Sequence, residues 1–270
     1  MIARRQAVQT VRWSLSPADW PRGARLRIAL IADLHLCRPW TPLAVARAAI
    51  DAVQAQAPDL ILLLGDYAAH LPFGRRYDPG EIAELLAGLT APLGVFNVFG
   101  NHDWWTDREG SLCTPPRTHW HQAFDEAGIE TLENRAVLLN HGKQEIALAG
   151  VASQMALGRR GRNEFKGLDD LEAALAGVPH DRFTLLMAHE PDIFARLPAQ
   201  VNLTLSGHTH GGQIRPFGRA VAVPSQFGTR YAYGAIEEEG RHLVVSGGVG
   251  CSVLPFRWAM RPEITMVELS

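Results

Sequence analysis

The sequence predicts an α/β fold, and three observations carry that reading. The apolar runs "RLRIALIAD", "PDLILLLGD" and "LGVFNVFGN" have strand length, and each ends in a small residue followed by Asp or Asn. Helical periodicity fills the gaps between these runs. The second half of the chain is richer in strand-like segments than in helices.

Taken in order, the elements justify themselves. After the first run, Thr41 is expected to cap a helix that Pro42 opens. Leu43, Ala46, Ile50 and Val53 then share its inner face. Asp78-Pro79 opens a second helix with Ile82, Leu85, Leu86 and Leu89 turned inward. Strand, helix, strand, helix, strand implies buried parallel strands. Downstream come "AVLLN", "QEIALAGV", "RFTLLMAHE", "VNLTLSGH", "RHLVVSGG" and "EITMVEL", with "GLDDLEAALAGVP" as the clearest late helix. A second sheet packed on the first is expected. "LGRRGRNEFKG" reads as a loop inside a single domain spanning 1–270, with its core from about residue 27.

Composition excludes several classes. Hydrophobic content of 47% and charged content of 20% fit a globular protein with a sizeable core. A net charge of −2 gives no strong nucleic-acid signal, because neutralising a phosphate backbone needs a basic excess. Cys37, Cys113 and Cys251 are scattered and odd in number, which points to a reducing compartment. Arg4-Arg5 is not followed by the apolar segment of an export signal. A cytoplasmic protein is expected, with peripheral contact at the inner face of the membrane left open. No protein partner is evident.

The chemistry lies at the ends of the apolar runs. "IADLH" supplies Asp33 and His35, and "LLGDY" supplies Asp66. "FGNHDWW" supplies Asn101, His102 and Asp103, "LMAHEP" supplies His189, and "SGHTH" supplies His208 and His210. In open α/β sheets ligands bind beyond the carboxyl ends of the strands, where these side chains would converge. A lone Asp-x-His or Gly-Asp is usually a turn feature. The whole ordered set, each member after an apolar run, is not. Carboxylate, imidazole and amide oxygen together suit manganese best, with iron or zinc as alternatives, over magnesium or calcium. The donors are too many for one ion, and two ions sharing a carboxylate can clamp a phosphoryl group.

The ordered set D-x-H, G-D, G-N-H-D, H and G-H-x-H resembles the calcineurin-like metallophosphoesterase superfamily, from about residue 27 onward. "GHTHGGQI", Tyr231 to Gly234 as YxxG, and "PFRWAMRPEI" are similar to its YaeI/YkuE-like phosphodiesterase branch, related to UDP-2,3-diacylglucosamine pyrophosphatases. The resemblance implies a four-layer α-β-β-α sandwich of two mixed sheets, with a dimetal site at the strand C-terminal ends. It implies that Asp33, His35, Asp66 and His210 hold one divalent ion. Asp66, Asn101, His189 and His208 would hold the other. It also places His102 outside the ligand set, facing substrate, to stabilise phosphoryl oxygens or protonate the leaving oxygen. Asp103 is the expected carboxylate to orient that ring.

The expected activity is hydrolysis of a phosphodiester or pyrophosphate by attack of a metal-bound hydroxide. The substrate would be a phosphorylated small molecule or a lipid-linked one. Trp104 and Trp105 are candidate substrate contacts, and Leu71 and Phe73 could join them in an apolar groove. Arg160, between Arg159 and Arg162, could grip a second phosphate, and "HLPFGRRY" could form part of the rim. Arg257 is expected to ion-pair with Glu263 or a neighbour. Rival readings are a UDP-2,3-diacylglucosamine pyrophosphatase, a phosphoprotein phosphatase and a metal-binding scaffold without turnover.

Overall fold

The computed structural model describes residues 7–69, 71, 73–106, 116–157 and 166–270. In chain order the elements are β1 (Gln9–Leu15), β2 (Leu26–Ile31), β3 (Cys37–Arg38), α1 (Leu43–Gln54), β4 (Leu60–Leu63), β5 (Arg75–Arg76), α2 (Pro79–Leu86) and β6 (Val95–Asn97). There follow α3 (Asn101–Trp105), α4 (His119–Glu126), β7 (Glu130–Thr131), β8 (Arg135–His141), β9 (Gln144–Gly150) and α5 (Leu171–Leu175). The chain closes with β10 (Thr184–Met187), β11 (Leu203–Ser206), β12 (Gly234–Glu238), β13 (Arg241–Val245) and β14 (Glu263–Leu269).

Among the described residues the strands form two six-stranded mixed sheets and a two-stranded ribbon of β3 and β5. The first sheet runs β1-β14-β2-β4-β6-β7 and the second β12-β13-β11-β10-β9-β8. The side-chain period of two along each strand sorts residues into layers. Leu26, Ile28, Leu30, Leu60 and Leu62 meet Leu148, Leu185, Met187, Leu203 and Leu205 between the sheets. The alternate residues Ala29, Ile31, Ile61 and Leu63 pack outward against Ala46, Val53, Ile82, Leu86 and Phe124 of α1, α2 and α4. On the far side Leu186, Leu243 and Val245 are covered by Ala174 of α5 and Phe194. The result is the α-β-β-α sandwich of two mixed sheets.

Two details depart from the sequence reading. Pro42, not Thr41, is the N-cap of α1, and no side chain caps that helix. Thr41 instead exchanges backbone hydrogen bonds with Cys37 at 2.8 and 2.9 Å, closing a tight loop. The last strand, β14, joins the first sheet between β1 and β2 rather than the second, and the upstream β1 pairs with it in parallel. By contrast α2 begins as its sequence requires. Asp78 accepts from the Gly80 amide while Glu81 accepts from the Asp78 amide.

Cys37 is buried and Cys251 half-buried, both as free thiols, and Cys113 lies outside the described residues. Among the described residues no helix is long and apolar enough to cross a membrane.

Candidate metal centre

At the strand ends the backbone itself is bent toward one point. Asp33 and His35 after β2, Asp66 after β4, and His208 and His210 after β11 all have positive φ (53°, 41°, 58°, 70° and 54°). Each such non-glycine residue costs roughly 1 kcal/mol or more, and this kind of strain gathers at functional sites. Asn101 opens α3 after β6, and His189 follows β10. The first sheet thus contributes Asp33, His35, Asp66 and Asn101, and the second contributes the remaining histidines. The close approach depends on glycine. A Cβ on Gly100 would strike Asp66 Oδ1 and the His189 ring, and one on Gly65 would overlap the Gly100 backbone.

Among the described residues three groups of ligand-competent side chains result: Asp33, His35 and His210; His35, Asp66 and His102; and Asp66, His189 and His208. Within each group the ligand atoms lie within 4.8 Å of one another. Asp66 joins them, its Oδ2 standing 3.3 Å from His35 Nε2 and 3.3 Å from His189 Nε2. Asp33 Oδ1 lies 3.7 Å from His210 Nε2, which is 3.0 Å from His35 Nε2.

Electrostatics follow from burial among these charges. Burial opposes ionisation of Asp66, yet the His189 and His102 rings and hydrogen bonds from His189 and His35 hold its carboxyl well below the usual range. Burial pushes the Asp33 carboxyl up to about 6, with His189 pulling it the other way. Burial and the neighbouring His189 lower His208 to about 3. Burial, His35 and Arg257 lower His210 well below an ordinary imidazole. His189 goes the opposite way, since Asp66, Glu190 and Asp33 outweigh its burial and raise it.

The tautomers show what these rings lack. His189 Nδ1 lies 2.5 Å from Leu64 O and His208 Nε2 lies 3.0 Å from Pro224 O. A carbonyl only accepts, so both nitrogens carry hydrogen. That leaves His189 Nε2 and His208 Nδ1 turned toward each other at 3.3 Å, each as a lone pair in the neutral ring. The raised basicity of His189 is the same fact in another form, because a proton takes the place where a cation belongs. Asn101 Oδ1 is buried with no hydrogen-bond donor. Facing lone pairs, a buried amide oxygen without a donor and an ionised carboxylate between them fit divalent cations with mixed N and O donors.

Other candidates fall where the sequence does not put them. Asp103 is engaged by the backbone. Its Oδ2 accepts from the Asp66 and Gly100 amides at 2.8 and 2.9 Å, and its Oδ1 accepts from the Tyr67 amide at 2.9 Å. At the third position of α3 its side chain turns back over the helix start, so it clamps the backbone beneath the site. The His102 amide donates to Asp66 Oδ1 at 2.9 Å, and its ring meets His35 edge-on at 4.9 Å and Trp105 at 5.1 Å. Trp105 is half-buried, donating to Met155 O at 2.8 Å, and so borders the site.

Trp104 is a core residue, buried among Tyr67, Phe99 and Trp120 and directed to Glu133 at 3.3 Å. Leu71 is buried and Phe73 is fully exposed, so no groove joins them to the tryptophans. Arg75 and Arg76 of "HLPFGRRY" form β5, while Arg159, Arg160 and Arg162 lie outside the described residues. Arg257 makes no ion pair with Glu263. It donates to Gly250 O at 2.6 Å and to Gly247 O at 2.8 Å, and its guanidinium also stands 3.0 Å from His210 Nδ1. Sequence reasoning missed this contact and also Glu190, which accepts from Ser153 Oγ at 2.5 Å and the Gln154 amide at 2.9 Å beside His189. Only its place directly after His189 in "LMAHEP" could have flagged it.

The family model described as calcineurin-like phosphoesterase matches residues 26–212. The chain is similar to the uncharacterized metallophosphoesterase YkuE of Bacillus subtilis, with 29% identity over 96% of this chain and 83% of that protein. It is 32% identical to phosphodiesterase YaeI of Escherichia coli, over 91% of this chain and 83% of that one. Among solved structures, the NAD nucleotidase NadN of Haemophilus influenzae shares the fold at a TM-score of 0.50 and 13% identity, over 83% of this chain and 45% of that one.

Proposed function

The chain belongs to the calcineurin-like phosphoesterase family, and on that premise we propose that it cleaves a phosphodiester or pyrophosphate at a pair of divalent cations. The observation that carries this reading is Asp66 Oδ2, placed equally, at 3.3 Å, from a histidine of each sheet. Asp33, His35, Asp66 and His210 would hold one cation, and Asp66, Asn101, His189 and His208 the other. Manganese is the best chemical match to this donor set. When bound, the pair supplies Lewis acidity toward the phosphoryl oxygens and a nucleophile at neutral pH.

The protein's own side chains supply the rest. Asp66 stays ionised between the two halves of the site because His189, His102 and His35 surround it. The rings of His189 and His208 keep one nitrogen toward the site because Leu64 and Pro224 hold the other. His102 places an imidazole over the site edge, where it stabilises phosphoryl oxygens or hands a proton to the leaving oxygen. Trp105 shields that ring from water on one side. A diester rather than a phosphopeptide is favoured by the relative that carries the name phosphodiesterase.

The test is a panel of bis-p-nitrophenyl phosphate, p-nitrophenyl phosphate and a phosphopeptide, each with added manganese and again after chelation. Faster turnover of the diester, abolished by chelation, is expected. Preference for the phosphopeptide would make the protein a phosphoprotein phosphatase, and silence toward all three would make it a metal-binding scaffold.

A further inference from the structure

Two loops leave the metal centre and meet on the surface beside it, residues 213–228 and 251–258. They form one unit. Gln213 Nε2 donates to Leu254 O and Phe256 O at 3.0 and 3.1 Å, and its Oε1 accepts from the Ser252 amide at 2.7 Å. The Arg215 amide donates to Trp258 O at 2.8 Å and the Trp258 amide donates to Gln213 O at 3.0 Å, which extends the pairing. The unit is fastened to the site at two points, Pro224 O on the His208 ring and Arg257 on the His210 ring.

Among the described residues, most of the exposed large apolar side chains lie on this unit. Phe217, Val221, Val253, Leu254, Phe256 and Trp258 are all exposed, with Phe217 at 104% and Val253 at 75%. Phe217 and Val253 also sit at positive φ, 55° and 63°, a conformation unfavourable for a bulky or β-branched residue. No Asp or Glu occurs from 193 to 236 or from 240 to 262, although the chain as a whole carries a net charge of −2. Arg215, Arg219 and Arg261 lie within those stretches.

We infer that these loops dock the protein on an anionic phospholipid bilayer and hold the mouth of the metal centre at the headgroup layer. The inference rests on the hydrolase reading only for what the site does once there. Exposed Phe, Trp and Leu at loop tips, with arginines between them, suit the membrane interface, where an apolar body sinks and a cation meets lipid phosphate. Loops that carry no carboxylate of their own, with the adjacent Asp192 tied up by the Ser225 hydroxyl and the Gln226 amide, complement a uniformly negative plane, and each arginine near such a plane adds attraction. A protein partner would call for local charge matching, which these loops do not offer. The substrate class that follows is a phosphoester or diphosphate carried on a lipid.

The experiment is co-sedimentation of the full chain with phosphatidylcholine vesicles, with and without phosphatidylglycerol, at low and high salt. The wild type should pellet with the anionic vesicles and less so at high salt. The double variant Phe217→Ser, Val253→Ser should partition at least about tenfold less. Both substitutions replace solvent-facing side chains, so hydrolysis of bis-p-nitrophenyl phosphate should match the wild type. Wild type that stays in the supernatant, or a variant that pellets equally, would overturn the inference. So would a wild type that is dimeric without lipid and a variant that is monomeric, since the face would then join two copies. Vesicle binding without diester hydrolysis would sink the hydrolytic reading and leave this one standing, and soluble turnover without vesicle binding would do the reverse.

Discussion

His189 Nε2 and His208 Nδ1 face each other across 3.3 Å while the far nitrogen of each ring is committed to a backbone carbonyl. Neither ring can turn its hydrogen inward without losing that bond, so a cation between them is the arrangement that satisfies both. Gently purified protein is therefore expected to carry about two divalent ions per chain. His208→Ala should lose one of them, and Asp66→Ala should lose both together with activity, because Asp66 serves both halves. Elemental analysis after gel filtration reads the count directly. A single ion in the wild type would end the dinuclear reading.

His102 separates binding from chemistry. Its ring packs against Trp105 at 5.1 Å and edge-on against His35 at 4.9 Å. His102→Gln should retain the metal content while kcat falls by about 100-fold, the usual scale for a lost proton donor. Metal loss in that variant would make His102 a ligand, as its place near His35 and Asp66 would then require.

Asp103 acts through the backbone. Three amides from two segments converge on its two oxygens. Asp103→Asn keeps one acceptor and sets an NH2 group against donors, which should cost roughly 2–4 kcal/mol of stability. Metal affinity should fall by about 10- to 100-fold, as when a residue supporting a ligand is lost. Denaturant titration and metal competition measure the two effects, and an unchanged unfolding midpoint would refute the clamp.

The neighbouring tryptophans should behave oppositely. Trp104→Ala empties a packed core position and should cost about 3–5 kcal/mol of stability. Trp105→Ala removes a half-buried ring beside His102. It should raise KM for an aromatic diester by about fivefold, the worth of one stacking contact, with a much smaller stability loss. Equal destabilisation by the two changes would count against Trp105 as a substrate contact.

The metal-free protein should lose stability as the pH rises above neutrality. Burial and the Asp66 charge push the Asp103 carboxyl up to about 8, against the pull of three amides. His189, which burial would lower, is raised by Asp66. A group whose folded pKa is raised contributes stability that is complete below its unfolded value and disappears as the pH climbs through the folded one. His208 and His210 are lowered, so their effect falls on the acid side and they are neutral in both states above about pH 7. Between about pH 6.5 and 8.5 the chelated protein should lose roughly 2 kcal/mol through Asp103, with His189 adding to the loss in the same direction. Manganese should flatten that slope by taking the place of the proton. Unfolding midpoints across the range, with and without metal, check this, and a chelated protein that gains stability toward pH 8.5 would refute it.

The central strands and the metal-competent side chains were legible because one pattern marks them, an apolar run ending in a small residue and then Asp, Asn or His. β1 was missed although Val11, Trp13 and Leu15 alternate with Arg12 and Ser14, because those side chains are only half-buried and the motif-bearing core begins only at about residue 27. Sheet membership was hidden too, because order along the chain does not say which sheet β14 will enter. Asp103 and Trp104 were misjudged for a common reason. Both sit on the single helical turn of α3, where adjacent residues point in different directions, so nearness in sequence to His102 does not mean facing the same space. The apolar surface of residues 213–228 and 251–258 escaped notice because its side chains come from two stretches that meet only in the folded chain.

The position of β14 between β1 and β2 has a consequence for how the protein is made. Chains leave the ribosome amino end first, and domains generally begin to fold in that order. Here β1 has no partner until the stretch from Glu263 to Leu269 has emerged, and until then one edge of β2 stays open. An open edge is a template for pairing with the wrong chain. The nascent chain thus carries an open edge on the buried strand β2 until β14 emerges, and synthesis halted before residue 263 would leave that sheet aggregation-prone even with the metal-competent side chains already in place.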